Sequence, residues 1–275
     1  MCAGEYLLDN RAHDAGRRFD ALSAIFNPVT FRHLETLGVD RGWRCWEVGA
    51  GGPSVPGWLA ARVGPTGHVL ATDIDIGWIT GDLGGQVEVR NHDVAHDEPP
   101  SGRFDLVHAR LVLTHLPDRD LALERMVAAL RPGAWLLIED FDSALQPLAC
   151  LDGGLPVQHR ANKLRDGFLA LLSQRGVDLE YGRLLPRLLR ARGLSEVAAD
   201  AYFPVALPAG AALDRANINQ VRDVLVAQGL ATPEEIAEHL AAIDAGQLDI
   251  ATPPLISVWG RHDTAQPDLR ADART

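Results

Sequence analysis

A glycine-rich segment near the start of the chain carries residue types suited to binding a nucleotide-like ligand. The apolar run from Cys45 to Val48 leads into glycines at positions 49, 51 and 52, and a helix-like segment follows from Pro53. This order is typical of a strand that turns into a helix through a loop with almost no side chains. Glycine lets the backbone approach a ligand closely, and the helix presents its positive N-terminal end. The segment therefore predicts a ligand site at the end of the first strand.

The spacing of these glycines disfavours a dinucleotide. The fingerprint of nicotinamide and flavin proteins needs a third glycine at position 54, where this chain has Ser54. Instead, an acidic residue, Glu47, stands two positions before the first glycine. The series EVGAG that begins at Glu47 resembles the first motif of class I S-adenosylmethionine-dependent methyltransferases. A glycine-rich turn beside an incidental acid is the alternative interpretation of this segment alone.

The resemblance implies that S-adenosylmethionine is the cofactor. It places Glu47, Gly49, Ala50 and Gly51 in the cofactor site, where the acid helps to position the cationic amino group of the methionine portion. A carboxylate at a strand end suits a cationic ligand and would repel a pyrophosphate. The family's frequent third glycine is Pro53 in this chain, so the following helix is expected to begin slightly differently.

A second acidic position follows the next predicted strand. The run from His68 to Thr72 is apolar and ends in Asp73-Ile74-Asp75. An acid at the end of the second strand can accept hydrogen bonds from both ribose hydroxyls of an adenosine ligand. The family pattern assigns that role to Asp73, with Asp75 as the second choice, and Ile74 joins the predicted cofactor site. A solvated turn with two carboxylates is the structural alternative.

Two further segments extend the resemblance. After a third strand near Val87 to Val89, the family pattern assigns Asp93 to the adenine amino group and the backbone of Val94 to the ring. The block FDLVHARLVLTHLPD, followed by LRPGAWLLIED, resembles small-molecule methyltransferases, including those of quinone biosynthesis. His108 lies in the fourth strand of this block and is included in the predicted cofactor site. The resemblance covers roughly residues 40 to 142.

Composition and missing motifs argue against several other classes. The net charge of −11 is unfavourable for a protein that must hold a polyanion. The signature [DN]-P-P-[YFW] of amino-methylating nucleic-acid enzymes is absent after the fourth strand. No membrane span or signal peptide is apparent, and scattered cysteines suggest neither disulfides nor zinc. We expect a cytoplasmic protein with a small-molecule substrate, no nucleic-acid or membrane partner, and a homodimer as one possible assembly. We also expect no metal, since His92 and His96 lack a third ligand.

The order of predicted elements indicates an α/β fold with a doubly wound, seven-stranded, Rossmann-like sheet whose last strand is antiparallel. Residues 1–38 are expected to form a helical preface, with a new helix starting at Asn27-Pro28. Residues 39–142 form the cofactor-binding half, and 143–261 form the remainder with helical lid insertions. A polar tail follows at 262–275.

The expected reaction is transfer of methyl to an oxygen or nitrogen of a small, largely apolar metabolite. A base is needed only when the nucleophile arrives protonated. His115 is the first candidate, with His108, Asp140 and Asp142 as weaker choices, and a packed histidine that orients the loop is equally compatible with the sequence. Two other functions stay open: a cofactor-bound protein that promotes cyclisation or elimination, and a protein that senses the cofactor.

Overall fold

A computed structural model of the chain describes residues 7–8 and 15–263. Most of the predicted polar tail, the beginning of the predicted preface and Cys2 lie outside the described residues. Within them, Cys45 and Cys150 are free and buried. No helix of this part of the chain is long and apolar enough to cross a membrane.

Seven strands of the described chain form one sheet. They are β1 (Arg44–Val48), β2 (His68–Asp73), β3 (Val87–Asn91), β4 (Phe104–Arg110), β5 (Leu130–Phe141), β6 (Leu194–Tyr202) and β7 (Leu255–His262). Their order across the sheet is β3-β2-β1-β4-β5-β7-β6. The first five strands pair in parallel, and β7 is antiparallel to both β5 and β6. The doubly wound sheet with an antiparallel last strand is therefore confirmed.

Helices cover both faces of this sheet. They are α1 (Ala15–Thr36), α2 (Ser54–Val63), α3 (Arg119–Ala128), α4 (Pro156–Gln174), α5 (Tyr181–Ala191), α6 (Pro208–Ala227) and α7 (Pro233–Asp244). The apolar core on one face includes α2 and the end of α1, whereas the core on the other face includes α3 and α5. Helices α4, α6 and α7 share a separate apolar cluster, and α6 also packs along α1.

The topology gathers polar side chains at one edge of the sheet. The chain order reverses between β1 and β4, and Val48 of β1 lies in register with both Thr72 of β2 and Ala109 of β4. The carboxyl ends of three parallel strands therefore meet there. Such a reversal point is where open α/β sheets bind their ligands.

The preface differs from the expectation at one point. Helix α1 is continuous through Pro28, and no new helix starts at Asn27. Ile25, Phe26 and Val29 are all buried on the same side of α1. Burial of this unbroken apolar face outweighs the loss of the one hydrogen bond that proline cannot donate. The local capping signal was therefore misleading.

The second half of the chain contains one helix that no motif had predicted, α6, and one that the sequence marked clearly, α7. The segment Thr232-Pro233-Glu234-Glu235 has the sequence of a capping box with proline in the first turn, and the box is present at the start of α7. The amide of Glu235 donates to Thr232 Oγ1 at 3.2 Å, and the Glu235 carboxylate accepts from the Thr232 amide at 2.9 Å.

Candidate active site

The loop after β1 has a backbone conformation that requires glycine. Gly49 has φ +64° and Gly51 has φ +61°. A Cβ atom at Gly49 would lie 2.3 Å from Cγ2 of Val112, and one at Gly51 would lie 3.1 Å from the ring of Phe19. The loop is therefore enclosed between α1 and the segment after β4, and its backbone is accessible to a ligand only because side chains are absent.

Asp73 faces this loop from the end of β2. The side chain is 7% exposed, and its two oxygens accept from the amides of Gly51 and Asp75, each at 2.9 Å. Burial raises the pKa of Asp73, although these hydrogen bonds oppose the shift. Asp75 instead accepts from the Gly77 amide at 3.0 Å and begins a short 3-10 turn. Local geometry thus favours Asp73 over Asp75 as the acid that meets a ligand at the loop.

The neighbouring positions suit the rest of an adenosine group. Ile74, directly after Asp73, is 63% exposed despite its apolar side chain. At the end of β3, Asp93 accepts from the amide of Ala95 at 2.8 Å, while Val94 is buried. The side-chain amide of Asn91 donates a hydrogen bond to the carbonyl of Ile74 at 2.7 Å. This contact connects the ends of β2 and β3. An exposed apolar side chain beside a carboxylate is appropriate for a heterocyclic base and its sugar.

Glu47 and His108 form a buried ion pair beneath the loop. Nδ1 of His108 lies 2.6 Å from Oε2 of Glu47, and Nε2 lies 3.4 Å from Oε2 of Glu139. Both side chains are almost fully buried. Burial alone would lower the pKa of His108, but the charge and hydrogen bonds of the two carboxylates outweigh it and raise the pKa to about 9. His108 is therefore an imidazolium at neutral pH, held between two carboxylates.

Glu139 is the centre of this buried network. It accepts hydrogen bonds from Thr30 Oγ1, from His33 Nδ1 at 3.0 Å and from Ser257 Oγ at 2.8 Å. Burial opposes ionisation of Glu139, yet the hydrogen bonds from His108 and His33 and nearby positive charge hold its pKa well below the usual range. The network therefore connects α1, β4, β5 and β7 at the edge where the glycine loop lies.

Arg110 extends the network at the end of β4. Its guanidinium donates to Thr30 Oγ1 at 2.9 Å and to Asn27 Oδ1 at 3.0 Å. The next residue, Leu111, has φ +58°, a strained conformation for a side chain of this size that is characteristic of functional sites. Sequence analysis missed both residues, and it also missed the roles of His33 and Glu139.

His115 lies in a 3-10 turn shortly after β4. Its pKa is lowered to about 4 because burial disfavours the imidazolium and the positive charges of Arg18 and Arg119 repel it. His115 is therefore neutral at physiological pH, as a base must be, but a pKa this low also makes it a weak proton acceptor.

The weaker base candidates are held by other contacts. Asp140 is fully buried, accepts from the Thr114 amide at 3.1 Å, and has a pKa raised by burial to about 7. Asp142 is also fully buried and forms two hydrogen bonds with the guanidinium of Arg183, including one of 2.6 Å. Asp142 thus has a structural partner at the start of α5.

The residues of ranges 7–8 and 15–263 include no group of three or more histidine, cysteine or acidic side chains that could hold a metal ion. His92 Nε2 lies 3.0 Å from the carbonyl of Glu98. His96 pairs with Asp93 at 2.9 Å and with Asp118 at 3.3 Å. The two histidines thus have separate partners.

Comparison with known proteins agrees with this geometry. Residues 26–199 match the model of a family described as a methyltransferase domain. The chain is 35% identical over 187 residues to methyltransferase str2 of Strobilurus tenacellus, covering 64% of this chain and 63% of that protein. It is 30% identical over 148 residues to the ubiquinone/menaquinone biosynthesis C-methyltransferase UbiE of Laribacter hongkongensis, covering 50% and 60%. The chain thus spans less than two thirds of the length of either relative.

Solved structures show the same fold at low sequence identity. A phosphoethanolamine N-methyltransferase 2 from Haemonchus contortus, in complex with S-adenosylhomocysteine and phosphomonomethylethanolamine, aligns with TM-score 0.58 at 16% identity, covering 96% of this chain and 61% of that one. A cyclopropane-fatty-acyl-phospholipid synthase-like protein from Lactobacillus casei aligns with TM-score 0.56 at 16% identity, covering 90% and 91%.

Proposed function

This chain belongs to the class I S-adenosylmethionine-dependent methyltransferases, and we propose that it methylates an oxygen or nitrogen of a small, largely apolar metabolite. The observation that carries the proposal is the meeting of Glu47, the glycine loop and Asp73 at the reversal point of the sheet. A permanently cationic adenosine derivative fits two buried carboxylates beside an open backbone better than an anionic nucleotide does.

Each residue of this edge has a proposed task. Asp73 accepts hydrogen bonds from the ribose hydroxyls, and Ile74 packs against the adenine, with Asp93 and Val94 at the far side of the ring. Glu47 accepts the ammonium of the methionine portion, and Gly49 and Gly51 allow close approach of the backbone. These tasks follow the family pattern, and the burial and hydrogen bonds described above support them.

S-adenosylmethionine supplies a methyl group that is already activated by a sulfonium, so the protein mainly has to align the acceptor. Alignment of this kind contributes on the order of 7 to 11 kcal/mol in favourable cases. For a phenol or an ammonium acceptor, neutral His115 is the proposed base. The acceptor is proposed to lie near this turn. Helices α1 and α6 share an apolar cluster that includes Ile25, Phe26 and Leu213.

The proposed reaction is tested with S-adenosylmethionine labelled by ¹³C on the methyl group and a panel of phenols, quinols and amines. We expect a labelled methyl ether or methylamine from at least one acceptor, with stoichiometric formation of S-adenosylhomocysteine. Consumption of an acceptor while the labelled cofactor stays intact would indicate the cyclisation or elimination alternative. Tight cofactor binding without turnover of any acceptor would indicate a sensor.

The role of His115 needs a separate test. His115→Ala should lower turnover at saturating phenol or ammonium acceptor by about 100-fold, the scale of a lost general base, with little change in cofactor affinity. His115→Gln retains much of the side-chain volume and is the matched control for packing. Near-normal turnover of both variants at saturating acceptor would remove His115 from the mechanism.

A further inference from the structure

We propose that His108 is a positioning residue that holds the Glu47 carboxylate oriented toward the ammonium of the cofactor. This inference rests on the proposed cofactor role of Glu47. It concerns how a carboxylate that is only 2% exposed can remain an effective acceptor for a cationic ligand.

The strand register fixes the pair. Glu47 of β1 lies directly beside His108 of β4 in the parallel ladder, and both side chains point to the face covered by α1. The 2.6 Å contact uses Nδ1 of His108 and Oε2 of Glu47. His108 therefore contacts Oε2 and leaves Oε1 as the oxygen proposed to accept from the ammonium of the cofactor.

The charge of His108 is necessary for this arrangement. A charged donor holds a carboxylate in one orientation more strongly than a neutral donor does. His108 contacts the carboxylates of both Glu47 and Glu139, and the guanidinium of Arg110 adds positive charge near the two acids. Loss of the imidazolium would remove the charged donor that fixes the Glu47 carboxylate, so it should weaken binding of an ammonium group.

Glu139 holds Nε2 of the His108 ring in place. Its contacts with Thr30 and His33 of α1 and with Ser257 of β7 hold the carboxylate that His108 Nε2 faces. Rotation of the imidazole would break contacts on both sides at once. The orientation of Glu47 is therefore determined by elements on both sides of β4, including the helix that covers the glycine loop.

Substitution of His108 by asparagine or by glutamine distinguishes the roles of its two ring nitrogens. The amide nitrogen of an asparagine lies near the position of Nδ1 and can still donate to Glu47, whereas that of a glutamine lies near Nε2 and reaches Glu139 instead. Affinity is measured by calorimetry with S-adenosylhomocysteine and with 5′-methylthioadenosine, which has the adenosine group but lacks the amino and carboxyl groups. Only the first ligand can report on Glu47.

We expect His108→Gln to weaken binding of S-adenosylhomocysteine by about 10-fold to 100-fold, the scale of a lost hydrogen bond to a charged group. His108→Asn should lose less affinity for S-adenosylhomocysteine. 5′-Methylthioadenosine should bind both variants as tightly as it binds the wild type. Glu47→Gln should lose as much affinity for S-adenosylhomocysteine as His108→Gln does. The double variant should bind this ligand no more weakly than either single variant. If His108→Gln fails to fold, the same comparison is made with His108→Ala, which also lacks a donor to Glu47.

Equal losses for the two ligands would mean that His108 has only a structural role and would overturn the inference. It would also be overturned if Glu47→Gln selectively weakened S-adenosylhomocysteine while both His108 variants bound it normally. The cofactor role of Glu47 would then stand without His108. Failure of the wild type to bind either ligand would overturn the proposed function and this inference together.

Discussion

The raised pKa of His108 makes stability depend on pH in a defined direction. His108 has a pKa of about 9 in the folded protein, against roughly 6.5 for an unperturbed histidine. Its contribution is therefore fully present below pH 6.5 and is lost as the pH rises toward 9, because the unfolded state releases the proton first. At about 1.4 kcal/mol per pKa unit, this contribution is about 3 kcal/mol.

The measurement is urea unfolding at intervals between pH 6 and pH 9.5, with the wild type and His108→Asn in parallel. His33 also has a raised pKa, because its hydrogen bonds to the carboxylates of Glu139 and Asp200, and their negative charge, outweigh the opposing effect of burial. His33 is present in both proteins, so the difference between them reports on His108 together with its coupling to His33 through Glu139. That difference should shrink by about 3 kcal/mol across this range. A difference that stays constant with pH would refute the assignment of an imidazolium between Glu47 and Glu139.

Three further predictions each concern a single residue. Gly49→Ala should destabilise the protein by about 1 to 3 kcal/mol in thermal unfolding, because its φ is +64° and the added Cβ would meet Val112; unchanged stability would contradict the described loop. Thr232→Ala should cost about 1 kcal/mol by urea unfolding, since it removes the cap on the Glu235 amide, and Thr232→Ser should restore most of it. If His115 is the base, with a pKa lowered to about 4, turnover of an acceptor that stays protonated across this range should show no loss between pH 8 and pH 6; a loss centred near 6.5 would contradict the lowered pKa.

The positions of Glu47 and Asp73 in the fold could be predicted from the sequence, because they depend only on where strands end. Glu47 and Asp73 each stand at the carboxyl end of a short apolar run, and parallel strands bring such ends to one edge of a sheet. The hydrogen bonds that these two side chains form could not be predicted in the same way. Asp73 bonds to the Gly51 amide in the structure, but nothing in the spacing indicated that contact.

The buried network could not be predicted because its members are far apart in the chain. His33 and Glu139 are separated by 106 positions, and no local period or cap relates them. An acid within the apolar strand AWLLIE was a signal that a partner must exist, since buried charges are paired. The identity of the partner depends on how α1 packs across the sheet, and the prediction of a helix break at Pro28 obscured that packing.

The most direct test of the account is calorimetric titration of the wild type and of Asp73→Asn with S-adenosylhomocysteine. The substitution keeps the shape of the side chain and removes the charge that faces the Gly51 amide. We expect micromolar binding by the wild type and a loss of at least about tenfold in the variant, the scale of a hydrogen bond to a charged group. Equal binding by the two proteins would contradict the placement of the cofactor at this edge of the sheet.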